Sequence, residues 1–164
     1  MPARASPVVE AEAPMTEKNF PAVDPELWFL VHGMDEVDVA KLVNDAGADF
    51  SLAQVPAEVA ERMSRYVDWR VRMAAAALPN TTAPVLQALA ATEKSKEVLE
   101  KVGAHPNTPP KTLAALAGLA LGGTQVAVAE NPNTPEESLV RLLDSNYPAA
   151  RDAARLALRK REVL

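Results

Sequence analysis

The sequence predicts an all-α protein built from short helical repeats. Of its 164 residues, 48% are hydrophobic but only 4% are aromatic, so Ala, Leu and Val must supply the core. Alanine is the best helix former, whereas sheet cores favour β-branched and aromatic residues. A Pro-Asn-Thr motif that recurs at nearly constant spacing indicates repeats of one helical unit. At this length we expect one domain with a substantial core.

Three prolines define the repeat: Pro79, Pro106 and Pro132 are 27 and 26 residues apart. Small residues precede each proline, and two leucines three residues apart follow it, in the pairs Leu86/Leu89, Leu113/Leu116 and Leu139/Leu142. Proline disfavours helix in the residue before it and lacks an amide donor. Each motif is therefore predicted to end one helix and begin another, whose leucines face the core.

The start of the helix after each motif is clearest at the third copy. We predict Thr134 as the N-cap, Pro135 as the first helical residue and Glu137 as the N3 residue that completes a capping box. Thr108 and Pro109 repeat the first two positions. By contrast, Gly122-Gly123 is interpreted as a turn between helices.

The chain before the repeats divides in two. Residues 1–22 have weak apolar periodicity and are predicted to be a flexible tail. Residues 23–55 are predicted to form N-terminal capping helices. Asp24-Pro25 is typical of a helix start and Gly33 of a helix end.

Two further helices complete the prediction for this region. One covers Glu36–Asp45 and ends at Gly47, and the other covers Pro56–Tyr66. Residues 56–164 are then expected to form an α-solenoid of about four units, with degenerate units at its ends because terminal repeats need polar outer faces.

The motifs resemble the leucine-rich repeat variant family. The resemblance rests on Val71-Arg72-x-Ala-Ala-Ala-x-x-Pro79-Asn80-Thr81 and on Val126-Ala127-Val128-Ala129-x-Asn131-Pro132-Asn133-Thr134-Pro135. It implies a right-handed superhelix in which short 3₁₀-like helices alternate with α-helices. Some members carry a cysteine cluster for an iron–sulfur centre. This chain has no cysteine, and its units are longer than the family's usual unit.

The sequence offers little for catalysis or cofactors. The absence of cysteine excludes thiolate metal sites, and two histidines, His32 and His105, are too few for a histidine-based metal site. His32 is predicted to end a helix, and His105 is interpreted as a repeat-variable residue. The acidic cluster Asp35, Glu36 and Asp38 lacks the spacing of a calcium loop and is assigned to a helix start. We therefore expect no enzyme activity, no cofactor and no metal.

The charge is divided unevenly along the chain. The net charge is −5, with five Lys/Arg against thirteen Asp/Glu from Met1 to Asp68, and twelve against nine from Trp69 to Leu164. No apolar run has the length of a signal peptide or a membrane span, so a cytoplasmic protein without membrane contact is expected.

Basic residues are the candidate partner-binding residues. Arg151, Arg155 and Arg159 are spaced by four and would form one row on a helix. Arg70 and Arg72 are assigned to the corresponding helix two units earlier. We expect this surface to bind a protein or peptide, with an acidic partner favoured by its sign.

Other interpretations of the sequence stay open. The arginines are also compatible with a solvated face, and they leave nucleic-acid binding as a weaker alternative because the pI is about 5.1. Head-to-tail self-association between the acidic and basic halves is another. Trp28, Tyr66 and Trp69 are expected to act outside the core, with Trp69 as a wedge before the repeats or an interface anchor.

Overall fold

The computed structural model describes residues 23–45 and 54–162, and this part of the chain is entirely helical, which confirms the all-α prediction. Its ten helices are α1 Pro25–His32, α2 Glu36–Asn44, α3 Ala57–Ser64, α4 Trp69–Ala77, α5 Ala83–Thr92, α6 Lys96–Ala104, α7 Pro110–Ala117, α8 Gly122–Glu130, α9 Glu136–Leu142 and α10 Pro148–Glu162.

The helices pack in two rows. The even-numbered helices follow one another from α2 to α10, each packed on the next, and the odd-numbered helices do the same from α1 to α9 with fewer contacts. Helices α4, α6, α8 and α10 begin at Trp69, Lys96, Gly122 and Pro148, so the sequence repeat of 26 to 27 residues corresponds to one odd and one even helix. Equivalent residues of successive units therefore lie along the same row.

The Pro-Asn-Thr threonines end helices rather than begin them. Thr134 is buried and donates its hydroxyl to the carbonyl of Val128, six residues earlier, at 2.5 Å. In a continuous helix that carbonyl would accept the amide of residue 132, but Pro132 has none, and the threonine hydroxyl replaces it. Equivalent bonds join Thr81 to Ala75 and Thr108 to Val102.

The predicted capping box at Thr134 is therefore wrong. Pro135 is the N-cap of α9, in an extended conformation with φ −59° and ψ 142°, and no side chain caps this helix. Pro109 has the same position before α7. The helix starts one residue later than predicted because the Thr134 hydroxyl is already bonded to the preceding helix.

The asparagines of the motif connect one unit to the previous one. The amide of Asn107 donates to the carbonyls of Thr81 and Pro79, at 3.1 and 3.4 Å, and that of Asn133 donates to the carbonyl of Pro106 at 2.6 Å. At the last described unit the guanidinium of Arg161 makes these hydrogen bonds in place of an asparagine.

Arg161 donates to the carbonyls of Thr134 and Pro132, at 2.8 and 3.2 Å. These are the equivalents of the two carbonyls that Asn107 contacts. An arginine from the extended helix α10 thus replaces the asparagine of a following unit.

The residue before each proline forms a second series of contacts. Nε2 of His105 lies 2.9 Å from the carbonyl oxygen of Leu78, and the side-chain amide of Asn131 donates to the carbonyls of His105 and Gly103. His105 also accepts the amide of Asn107 at Nδ1, as the Asn131 side chain accepts that of Asn133. The residue at this position differs between units, and the buried His105 makes structural contacts there.

The N-terminal helices agree with the prediction where the structure describes them. Asp24 caps α1, and Gly33 ends it in the left-handed conformation with φ 62°. Asp35 and Asp38 form a capping box at α2, which explains the acidic cluster. The tail over residues 1–22 and the helix end at Gly47 lie outside the described residues.

Two hydrophobic clusters form the core, one over α1 to α4 and the other from the end of α4 to α10. Trp28 belongs to the first cluster and is 8% exposed, so the prediction that it lies outside the core is wrong. The ring of His32 stacks on the Trp28 ring, and Nδ1 of His32 lies 2.8 Å from the carbonyl oxygen of Trp28. Tyr66 packs against the same cluster.

Gly122 and Gly123 begin α8 and do not form the predicted turn. A Cβ at Gly122 would lie 2.8 Å from the ring of Tyr147, and one at Gly123 would lie 2.5 Å from the carboxylate of Glu100. At Gly122 the aromatic ring occupies the space of a Cβ, whereas at Gly123 the close atom is the end of the flexible Glu100 side chain, which can move away.

Candidate partner-binding surface

Arg72 is held in an ion pair on the side of α4. Its guanidinium donates to both carboxylate oxygens of Glu93, at 2.6 and 3.2 Å, and to the carbonyls of Tyr66 and Val67. The Arg72 side chain is 21% exposed and that of Glu93 is 4% exposed. The hydrogen bonds from Arg72 lower the pKa of Glu93 to about 2. This arginine therefore joins α4 both to the turn between α3 and α4 and to the turn that follows α5.

Arg151 has the same position in α10. It donates to the carbonyl of Ser145, six residues earlier, at 2.6 Å, as Arg72 does to that of Tyr66. Gln125, the equivalent residue of α8, donates to the carbonyl of Leu119. Arg72 and Arg151 are thus equivalent, but they lie three units apart and not two as predicted. Both donate to a carbonyl in the turn that follows the preceding odd helix.

The other candidate arginines are exposed. Arg70 pairs with Asp68 at 3.3 Å, and Arg155 pairs with Asp152 at 2.9 Å. Arg159 has no ion pair or hydrogen bond with any described residue and is exposed on the last turns of α10. Trp69 is 39% exposed at the start of α4. The predicted residues therefore lie at two distant places, on α4 and on α10.

Arg155 lies on the side of α10 that faces away from α8. Its equivalent in α6 is Gly103, where a Cβ would lie 3.2 Å from the side chain of Val128 in α8. This position therefore faces the next even helix. In the described part of the chain no helix follows α10, and Arg155 is accordingly more than half exposed.

A groove of about 580 Å³ lies beside this face. We call it the C-terminal groove; its walls are mostly apolar and come from the end of α8, the following turn and the second half of α10. Leu156 is 54% exposed on one side, and Lys160 and Arg161 stand at the rim. The lining residues are Ala129, Glu130, Asn131, Pro132, Ala153, Leu156, Ala157, Lys160 and Arg161.

The sequence prediction did not single out Leu156 or Ala157. The available signal was a break in the repeat, because α10 continues through the positions where another Pro-Asn-Thr motif would end it. The extra turns of α10 carry Arg159, Lys160 and Arg161 past the end of α8. The basic residues at the groove follow from this extension.

A second groove, of about 630 Å³, lies between α3 and α5. Charged side chains on its walls are paired with each other: Arg65 with Glu61, and Arg72 with Glu93. Pairs of this kind compete with a charged ligand for the same groups. The C-terminal groove, by contrast, combines an exposed leucine with cations at its rim.

The described residues also define the remaining chemistry. In residues 23–45 and 54–162 no three His, Cys, Asp or Glu side chains are grouped so that they can hold a metal ion. Burial lowers the pKa of His105, whose two ring nitrogens are both used within the fold. None of the helices in these ranges is long and apolar enough to cross a membrane.

Comparison of the chain with family models, with curated proteins and with solved structures gave no match.

Proposed function

We propose that the protein is a non-catalytic helical-repeat scaffold, a right-handed α-solenoid similar to leucine-rich repeat variants, that binds a protein or peptide partner at its C-terminal groove. Support for the repeat architecture comes from the two rows of helices and from side-chain bonds between successive units, which join residues 26 to 28 positions apart. The buried groups with altered pKa values, Glu93 and His105, are occupied by structural contacts.

The observation that carries this proposal is the combination of Leu156 with free cationic groups. Fully burying an exposed leucine contributes about 1.5–3 kcal/mol, and Leu156, which is 54% exposed, can gain about half of this, so it is an anchor point for an apolar side chain. Arg159 and Lys160 follow Leu156 on the same helix and form no ion pair with a described residue; Lys160 and Arg161 line the groove together with one carboxylate, Glu130. Such a surface favours an acidic segment with one or two apolar residues, and charge complementarity speeds its association.

Affinity capture tests the proposal with the full chain as bait in an extract of its native host. The double variant Arg155→Glu/Arg159→Glu reverses the charge on the exposed side of α10 beside the groove, and Leu156→Glu removes the apolar anchor. We expect both to lose the same captured protein. Binding of that protein, once purified, is then measured by titration calorimetry at two salt concentrations, and affinity should fall as salt rises.

Matched variants control for charge and solubility. Lys101→Glu/Lys111→Glu makes the same change in net charge at exposed positions of α6 and α7, and Val140→Glu changes an exposed apolar residue of α9. These variants should retain the partner. Equal capture by the wild-type chain and the groove variants would contradict the proposal.

A further inference from the structure

Helix α1 has one buried side and one exposed apolar side. Trp28 and Phe29 lie on the buried side and belong to the first hydrophobic cluster. The opposite side carries three large apolar side chains, and we call it the α1 apolar face: Leu27, Leu30 and Val31 are 58%, 78% and 71% exposed. Residues three and four apart are neighbours on a helix surface, so these side chains form one patch.

This patch has no equal among the other helices. In the described ranges, no helix besides α1 exposes more than one large apolar side chain. Contiguous apolar patches on the surface of a soluble protein mark interaction sites. Helix α1 is the first described helix of the odd row and packs mainly on α3. The α1 apolar face therefore lies on the helix at one end of the described repeats.

The chain around α1 is acidic. Residues 23–45, which contain α1 and α2, carry six carboxylates against one lysine. Asp24 and Asp35 stand at the starts of the two helices, are exposed, and form no ion pair with a described residue. The α1 apolar face is thus an apolar surface in a region of negative charge.

The opposite end of the described repeats is basic. Helix α10 carries five Lys/Arg against two carboxylates. Lys160 and Arg161 line the C-terminal groove with a single carboxylate, Glu130, and Arg159 is exposed beside it. The groove has mostly apolar walls and an exposed leucine, Leu156. An apolar face in an acidic region at one end is therefore matched by an apolar groove in a basic region at the other.

The signs of the charges distinguish two ways in which copies of the chain can meet. In a symmetric dimer α1 would face α1, and two acidic regions would be brought together, which like charges oppose. In a head-to-tail contact, α1 of one copy meets α10 of another, and the charges are opposite. The same contact cannot form within one copy, because α1 and α10 lie at opposite ends of the rows.

We propose that the partner of the C-terminal groove is a second copy of this chain, whose α1 apolar face packs against Leu156 and the apolar walls of the groove. This inference rests on the proposed function and names its partner. Opposite charges on α10 and on residues 23–45 orient the two copies and speed their association. Each contact leaves one α1 apolar face and one groove free, so the contact is heterologous and repeats from copy to copy.

Sedimentation velocity of the full chain tests this contact. We expect the mean mass to rise above the monomer mass of 17.5 kDa as the protein concentration increases, and association to weaken as salt rises. Leu30→Glu places a charge on the α1 apolar face, and Leu156→Glu places one at the groove. Both side chains are more than half exposed, so both variants should fold, which circular dichroism checks. Each variant alone should stay monomeric where the wild-type chain associates.

A mixture of the two variants gives the decisive measurement. The Leu30→Glu chain keeps its groove and the Leu156→Glu chain keeps its α1 apolar face. One copy of each should therefore form a dimer of twice the monomer mass and no larger species. Val140→Glu makes the same kind of change at an exposed position of α9 and should associate as the wild-type chain does.

Charge variants test the electrostatic part of the contact. Arg155→Glu/Arg159→Glu brings like charges together and should weaken association of the full chain by about tenfold or more. Lys101→Glu/Lys111→Glu makes the same change in net charge at exposed positions of α6 and α7 and should leave association unchanged.

The inference is overturned if the wild-type chain is monomeric at every concentration, which would assign the α1 apolar face to another occupant. It is overturned also if the mixed variants stay monomeric, or if Leu156→Glu alone associates as the wild-type chain does, which would indicate a symmetric contact through α1. If the wild-type chain is monomeric while Leu156→Glu still loses a captured protein, the groove binds a different partner. In that case the proposed function stands and only this inference is rejected.

Discussion

Arg72 and Glu93 form a two-pronged ion pair between residues that are 21 positions apart in the chain. The carboxylate also accepts the amides of Lys94 and Ser95, so that one acidic side chain organises the turn before α6 and fixes α4 to it. The Arg72 guanidinium is therefore already hydrogen-bonded within the fold. A partner that bound Arg72 would have to displace these contacts.

Removal of one member of this pair should be costly. We expect Arg72→Met to lower the free energy of unfolding by about 2–3 kcal/mol, somewhat less than for a fully buried pair, because a buried carboxylate loses its partner. Arg70→Met, which removes an arginine from an exposed pair with Asp68, should have a much smaller effect. Urea unfolding of both variants measures the difference. Equal losses of unfolding free energy would show that the Arg72–Glu93 pair stabilises the fold no more than the exposed Arg70–Asp68 pair does.

The same pair predicts acid sensitivity. Because Arg72 lowers the pKa of Glu93 from 4.5 to about 2, the folded state binds fewer protons there than the unfolded state. The stabilisation is complete above pH 4.5 and is lost as the pH falls from 4.5 towards 2. Glu93→Gln keeps the shape of the side chain and should remove this part of the pH dependence. Unfolding at pH 7 and at pH 3 measures it, and parallel curves for the two proteins would contradict the assignment.

His105 predicts a second pH effect, at higher pH. Its Nδ1 accepts an amide proton, so the ring is neutral with its proton on Nε2, and burial lowers its pKa below 6.5. The unfolded chain therefore binds more protons at this histidine, and stability falls as the pH drops below 6.5. His105→Asn should keep both contacts, as Asn131 does in the next unit, and should flatten thermal unfolding midpoints between pH 7 and pH 5. An unchanged slope would rule out His105 as the cause.

Gly122 predicts an effect opposite to helix propensity. Glycine to alanine inside a helix normally stabilises by about 0.5–1 kcal/mol. At Gly122 a Cβ would meet the Tyr147 ring at 2.8 Å, so we expect Gly122→Ala to destabilise by about 1–3 kcal/mol.

Gly118→Ala is the control for Gly122→Ala. Its nearest contact would be an ordinary 3.4 Å, and its effect should be neutral or slightly stabilising. In a double-mutant cycle, Tyr147→Ala should remove most of the penalty at Gly122. Thermal unfolding of the four chains measures the coupling, and additive effects would show that the ring is not the obstacle.

The sequence by itself determined the helical class, the repeat register and the approximate bounds of the N-terminal helices α1 to α3. These features depend on local chemistry: proline stops a helix wherever it occurs, glycine permits the left-handed end at Gly33, and leucines three apart give an apolar side. Asp24 acts as the N-cap of α1 as predicted, and the acidic cluster at Asp35 lies at a helix start as predicted.

Only the tertiary structure decided what the recurring and basic residues contact. Thr134 was predicted at the start of the next helix, but its hydroxyl bonds to the carbonyl of Val128 in α8, to which Pro132 has no amide to donate. Arg72, Arg151 and Arg161 are bonded to backbone or to Glu93, whereas Arg159 is not, although all four have the same chemistry in the sequence. Such contacts join residues from 6 to 29 positions apart, and packing between helices brings them together, which no local pattern encodes.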